Sequence, residues 1–505
     1  MATYAYDLNG KVVGVGFPSG NALTYTRTDD GLITNISYTP KGATTAQTAV
    51  GGVLYEPYGK MASLTYGNGL TLTRTHDQDY ELSGIETAPS TGPALLNETF
   101  TWQTDGRIAS VGDNLVSTMG PTSRTAAYTY APTGRLATGN GPWGSGSGTW
   151  TWGWDASGGL TAYNGQAMSV ATGSNQLSKV TQGSSTVHAY TWLTGGELTQ
   201  DVAGATTYAY TYNAARRLTE AQASGSETGG YQYDWSGKRV WRYQANGGWL
   251  TAYTFDAAGR PQSEAAANTG SPSREYIWLD DELVGQLVWS GGAPSFYAVT
   301  MGQNGEPQLM TGPTGAVAWN GYLAPGGQWN AFQAPTLGIN QRYPGQWDES
   351  EISTSTNGTY DNGQRIYQAY MGRYLSADPL GIDAGPNPYA YVDGDPLNLT
   401  DPEGLKIVGC KTGDCPSSPP SNDPSWRPDS KLSWPASAIT NGVTHKGQIC
   451  FEKLVGGRYL HCCYNKDGQP IYTRPGSSWE DYDPATQFPQ HVWEWIQNEL
   501  SPNPQ

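Results

Sequence analysis

A seven-residue template recurs along the first 260 residues of this 505-residue chain and limits what the chain can fold into. The template is an aromatic residue, Asp, two spacers, Gly, Arg and Leu. It occurs as YDLNGKV from Tyr6, WQTDGRI from Trp102, YAPTGRL from Tyr130 and WDASGGL from Trp154. It returns as YNAARRL from Tyr212, YDWSGKR from Tyr233 and FDAAGRP from Phe255. Read at the Gly position, through Gly106, Gly134 and Gly158 and then Arg216, Gly237 and Gly259, the spacing runs from 21 to 28 residues. Alternating segments such as YTRTDDGLITNISYTP and YAYTY precede the copies, which is the period-two pattern of a strand. The unit is therefore strand, turn, strand, with Asp capping the turn and Gly supplying a positive φ. One hairpin of this length cannot bury its own face, so the units must join into a continuous sheet. A β-propeller would need units of roughly 40–50 residues, about twice the spacing seen.

Composition agrees with a mainly β fold. Only 14% of residues are charged, and 66 Gly, 33 Tyr and 19 Trp stand against 7 Phe. The formal net charge of −16 argues against a body that binds nucleic acid, which needs clustered Lys and Arg. The start, MATYAYDLNG, has neither the basic residues nor the apolar run of a secretory signal. No window approaches the roughly 20 apolar residues of a membrane helix. Since Tyr4-Ala5-Tyr6-Asp7 already reads as repeat, whatever exports the protein is expected to be another polypeptide or a preceding part.

These repeats resemble the YD repeats of the bacterial Rhs family, whose animal relatives include the teneurins. The resemblance implies a YD-repeat β-solenoid that forms a hollow shell. Downstream, QRYPGQWDE (341–349) resembles the opening of the Rhs repeat-associated core domain, and ESEISTSTNGTY (349–360) departs from it as a polar insertion expected to be a loop. From Tyr360 the match tightens through YDNGQRIYQAYMGRYLSADPLG and NPYAYVDGDPLNLTDPEGL, ending on Asp-Pro-x-Gly-Leu at Leu405. The expected organisation is a shell over 1–340, a core domain over 341–405 and a small α+β effector over 406–505.

The closing motif carries the chemistry. Hydrolysing an amide without metal or nucleophile requires one group to activate water and another to protonate the leaving amine. Two carboxylates sharing a proton do both, because like charges about 3 Å apart cannot both ionise. Asp378 and Asp401 begin Asp-Pro steps at either end of the motif, and they match the family's paired aspartates. Arg373 matches the family's basic residue, with a role in orienting a carboxylate or stabilising the oxyanion. The resemblance implies self-cleavage between Leu405 and Lys406. Asp383, Asp393 and Asp395 read as turn residues, the ordinary use of Asp beside Pro or Gly.

Beyond Leu405 the composition changes. All five cysteines (Cys410, Cys415, Cys450, Cys462, Cys463) and three of the five histidines (His445, His461, His491) lie there, with nine basic and ten acidic residues. QICFEKL and RYLHCCYNKDGQPIYT alternate as a hairpin would, Lys466-Asp467-Gly468 gives a turn, and PQHVWEWIQNEL suits a short helix. His461-Cys462-Cys463 with Cys410 and Cys415 lacks the two spaced pairs of a structural zinc site, and disulfides after export suit these cysteines better. No cofactor is implied, and no motif identifies an activity.

The family places a variable toxin here. It implies production in the cytoplasm, then secretion or translocation into a competing cell by a secretion apparatus, and a cognate immunity protein. The competing reading is a non-enzymatic extracellular YD-repeat protein whose Tyr/Trp-rich face binds carbohydrate or partner proteins.

Overall fold

The computed structural model describes residues 2–57, 60–115, 124–143, 148–331, 337–349, 351–352, 358–381 and 385–405. In the last hundred residues it describes 427–428, 449–455, 458–464 and 470–471. The chain divides into two compact units, Met1–Ile407 and Val408–Gln505.

In the first unit one sheet takes in 30 described strands, from β1 (Thr3–Tyr6) to β30 (Trp329–Ala331). Each pairs antiparallel with the strand before and the strand after it, so the chain runs as an unbroken meander. Among the described strands, no set separates into propeller blades. A second sheet of four short strands follows: β31 (Gln346–Asp348), β32 (Thr359–Asn362), β33 (Arg365–Gln368) and β34 (Arg373–Tyr374).

The template explains the turns. Asp155 Oδ1 accepts from the Ser157 and Gly159 N–H groups at 2.9 and 2.7 Å, and Asp234 and Asn213 do the same in their own copies. The fifth position is left-handed, as at Gly158 (φ +81°), and Arg216 takes that conformation (φ +62°) where the template would have Gly. The same turn closes at Leu193–Glu197, Gly302–Glu306 and Gly312–Ala316, where the residues obscure the template.

The aromatic position has a separate task. Trp102 Nε1 donates to the Leu82 carbonyl at 2.8 Å, Tyr130 Oη to Ile108 at 2.9 Å, and Trp154 Nε1 to Leu136 at 2.7 Å. Trp192 repeats this with Leu177, Tyr212 with Leu198 and Tyr233 with Leu218. Each acceptor carbonyl belongs to the apolar residue that closes the preceding repeat, and the side chains of Ile108, Leu136, Leu177, Leu198 and Leu218 are buried. A ring with a donor at its tip packs the core and also satisfies a carbonyl, which phenylalanine cannot do.

The ribbon also returns upon itself. Asn21 donates to Glu275 at 2.9 Å, Tyr66 to the Val299 carbonyl at 2.8 Å, Asn68 to Thr311 at 2.8 Å, and Arg74 pairs with Glu282. Arg124 reaches the Gln308 carbonyl at 3.2 Å and the Glu98 carboxylate at 3.4 Å. Apart from Arg124–Glu98, these contacts join early residues to residues some 200 positions later, forming a polar seam between windings. Glu275 is fully buried there, and its Oε1 has no hydrogen-bond partner. Burial pushes its carboxyl up to about 7, against the pull of hydrogen bonds from Ser19 and Asn21.

The 349–360 insertion is only partly the loop expected. Its start is anchored: Glu349 pairs with Arg239 and Arg242, Glu351 pairs with Arg242, and Ile352 is fully buried. Its end is strand β32, and residues 353–357 lie outside the described residues. Charge complementarity to Arg239 and Arg242, more than 100 residues earlier, overrides the polar look of the segment.

In the second unit, β36 (Ile449–Val455) pairs antiparallel with β37 (Arg458–Tyr464), setting Cys450 opposite Cys463. β37 pairs in turn with β38 (Pro470–Ile471). The Lys466-Asp467-Gly468 turn, the expected terminal helix, Cys410, Cys415, His445 and His491 lie outside the described residues.

Two outcomes follow. Tyr233→Phe keeps the ring but leaves the Leu218 carbonyl without its donor, so chemical unfolding should show a loss of about 1–2 kcal/mol. Glu275→Gln tests the seam. The folded carboxyl, at about 7, holds a proton that the unfolded chain releases near 4.5, so wild-type stability falls as pH rises through that window. The variant should match wild type near pH 5 and exceed it by about 1–3 kcal/mol at pH 8.

Candidate active site

Three glycines let the segment 401–405 lie against β32 and β33. A Cβ at Gly404 (φ +67°) would strike the Asn362 carbonyl oxygen, one at Gly363 (φ +61°) the Glu403 carbonyl, and one at Gly345 (φ +81°) Pro402. With no Cβ in the way, the Gln364 N–H donates to the Glu403 carbonyl at 2.8 Å, and Arg365 Nε donates to the Gly404 carbonyl. The end of the motif is thus held by the Gln364 backbone and the Arg365 side chain, each taking one of its carbonyls.

The structure brings Asp378 and Asp401 together around one nitrogen. Arg365 Nη2 lies 2.7 Å from Asp378 Oδ2 and 3.4 Å from Asp401 Oδ2. Asp378 is 4% exposed and Asp401 2%. Asp401 Oδ2 also accepts from the Tyr374 hydroxyl at 2.7 Å, while its Oδ1 accepts from the Leu405 N–H at 2.9 Å. That last bond puts the carboxylate one residue's width from the Leu405 carbonyl. Asp378 Oδ1 accepts from the Leu380 N–H at 2.8 Å. The Arg365 guanidinium rests on the Tyr374 ring, 3.6 Å from its centroid, and Asn362 donates to the Tyr374 hydroxyl at 2.7 Å.

One guanidinium cannot neutralise two buried carboxylates, and the uncompensated charge would be costly. Accordingly, burial pushes the Asp378 carboxyl up to about 6; the Arg365 charge and the Leu380 N–H oppose the rise, and Asp401 adds to it. Asp401 accepts from Tyr374, Arg365 and the Leu405 amide, as a carboxylate does. The pair has the asymmetry of an acid and a base. Lys406 lies outside the described residues.

Arg373 sits elsewhere. It stacks on Tyr389 and Trp192 and donates to the Asn175 carbonyl, and burial pulls its guanidinium down to about 10. Neighbouring residues on a strand face opposite sides, so Tyr374 facing Asp401 turns Arg373 away. Sequence reasoning missed Arg365 and Tyr374. That parity rule, applied to GRY, would have flagged the exchange had the strand been recognised. Asp395 accepts from the Asn398 amide at 2.6 Å and Asp393 is left-handed at φ +50°, both as turn residues; Asp383 lies outside the described residues. Among the described residues, no group of three or more His, Cys, Asp or Glu could hold a metal ion, and no described helix is long and apolar enough to cross a membrane.

Comparison with known proteins bears on the shell. The family described as Teneurin YD-shell matches residues 33–385. A probable deoxyribonuclease, RhsB of Dickeya dadantii, is 29% identical over 235 residues, covering 41% of this chain and 16% of that protein. The toxin protein Tse5 of Pseudomonas aeruginosa is 36% identical over 105 residues, 20% of this chain and 7% of its own length. The chain thus spans less than a fifth of these relatives. Among solved structures, TcdB2-TccC3 superposes with a TM-score of 0.64 at 19% identity, over 80% of this chain and 22% of that one. A Tc holotoxin pore of Photorhabdus luminescens gives 0.65 at 18% identity, over 80% and 21%. At these identities the likeness is one of fold.

Gly404→Ala should dislodge 401–405, since it adds a Cβ at positive φ against backbone that cannot yield. The expected cost is more than about 2 kcal/mol locally, seen as faster amide exchange at Gln364 and Leu405 while the repeat strands keep their protection.

Proposed function

The chain belongs to the teneurin YD-shell family of Rhs/YD-repeat proteins, and on that premise we propose that it is a toxin carrier that frees its C-terminal segment by cutting itself after Leu405. The observation that carries this reading is the shared contact of Asp378 and Asp401 with Arg365, Asp401 standing four residues before the end of the motif.

In the proposed reaction Asp401 takes a proton from water, whose oxygen bonds to the Leu405 carbonyl carbon. Asp378 gives its proton to the Lys406 nitrogen as the carbon–nitrogen bond breaks. Leu405 ends as a carboxyl group and Lys406 as an amine. Arg365 orients both carboxylates, and Tyr374 fixes Asp401. The shell would hold residues 406–505 until delivery by a secretion apparatus into a competing bacterium, and a cognate immunity protein would protect the producer. Toxin names among the relatives support this role. The carbohydrate-binding alternative draws less support, because the repeat aromatics are engaged with carbonyls of the preceding repeat.

Intact masses of the denatured full-length protein decide between whole and split chains. Wild type should divide at Leu405/Lys406. Asp378→Asn, Asp401→Asn and Arg365→Met should each slow the cut by about 100-fold or more. With Asp378 needed in its protonated form and its carboxyl at about 6, the rate should fall as pH rises above that value, by roughly tenfold per unit once well beyond it. A wild-type chain that stays whole overturns the reading.

A further inference from the structure

The YNAARRL turn departs from the template at its left-handed position and lies beside the candidate active site. In YNAARRL the left-handed position is Arg216 instead of Gly, a conformation that side chains with a Cβ seldom adopt. Its guanidinium lies 3.1 Å from Glu197, whose residue is 4% exposed. Glu197 bridges in antiparallel fashion to Ser376, flanked by Leu198 N–H to the Leu375 carbonyl at 2.8 Å and Ala377 N–H to the Gly196 carbonyl at 3.1 Å. This contact holds the strand that leads into Asp378.

The neighbouring Arg217 serves the other half of the site. Its Nη1 donates to the Gly363 carbonyl at 2.7 Å and its Nη2 to the Gln364 side chain. The Gln364 N–H in turn grips Glu403. Room for this guanidinium comes from the next repeat, where a Cβ at Gly237 would strike it. Arg216 and Arg217 line one small crevice together with Arg365 and Ser376.

We propose that the Asn213–Arg217 turn is the positioning element of self-cleavage: Arg216, through Glu197, sets the segment bearing Asp378, and Arg217, through Gly363–Gln364, sets the segment bearing Asp401 and Leu405. The two halves are then brought into register by the shell itself. A chain whose windings have not closed around β19 (Thr206–Tyr212) and β20 (Leu218–Ala223) holds its aspartates out of reach of the bond. This inference rests on the self-cleavage reading above.

The test follows cleavage of pulse-labelled full-length chain made by cell-free synthesis, with thermal unfolding of each purified protein alongside. Arg217→Met keeps the stem and loses the donors, and should slow the cut by about tenfold or more; Arg217→Lys, with one donor restored, should recover most of the rate. Arg216→Gly suits the left-handed backbone, so it should fold as well as wild type and still cut several-fold more slowly. Adding Glu197→Gln, which removes the stranded charge, should restore the rate in that background. Wild-type cleavage with unchanged rates in Arg216→Gly and Arg217→Met overturns this inference and leaves the self-cleavage reading intact. So does slowing that tracks the melting temperature and is not recovered by Arg217→Lys or Glu197→Gln. A wild-type chain that stays whole overturns both.

Discussion

A hydrogen bond from the tip of an aromatic ring to the carbonyl of the preceding repeat holds the ribbon in shape. Taken singly, each such bond adds about 1 kcal/mol. Their importance lies in recurrence, because the bond fixes the distance between one repeat's aromatic and the previous repeat's buried Leu or Ile. The strand pairing alone would leave the sheet free to vary its twist. The aromatic contact restricts that freedom at each step, so the curvature by which residues near 21–124 come to meet residues near 275–320 is built from local contacts. The composition follows, since tyrosine and tryptophan satisfy the carbonyl and phenylalanine does not.

The candidate active site depends on this scaffold in a particular way. Its carboxylates are buried and share one guanidinium, and the Arg365 and Tyr374 that hold them sit on short strands with few pairings of their own. A four-strand sheet of two- to four-residue strands is marginal in isolation. The repeats supply what it lacks: Tyr370 donates to Gln166, Arg217 holds the Gly363 carbonyl, and Asn304 donates to the Pro396 carbonyl. The burial that raises the Asp378 carboxyl is maintained only inside such a frame, where water is kept from both charges.

Much of the fold was legible because the information is local. The Asp and Gly of each template act within five residues, and the strand alternation acts within one strand. The Asp378/Asp401 pairing could be proposed from the motif, although their common partner was misassigned. Arg365 and Arg373 are equally plausible on composition; what separates them is which way each strand residue faces, and β33 and β34 are too short to show a period. The seam was not legible at all. Asn21 with Glu275 or Arg124 with Gln308 are ordinary polar residues until the ribbon's curvature makes them neighbours. The anchoring of Glu349 and Glu351 by Arg239 and Arg242 escaped for the same reason.

The meander and the seam together impose arithmetic on the chain. Every described strand of the large sheet pairs only with its neighbours in sequence, so excising one whole hairpin would leave the other strand pairs intact. Yet it would slide the later winding past the earlier one, bringing the wrong residues opposite Asn21, Tyr66 and Arg74. Repeat number is therefore a quantised variable, set by the circumference at which the two layers mesh, much as the tooth count of a gear is fixed by the wheel it must engage. Drift within repeats is cheap under this rule, whereas gain or loss of a single repeat is not.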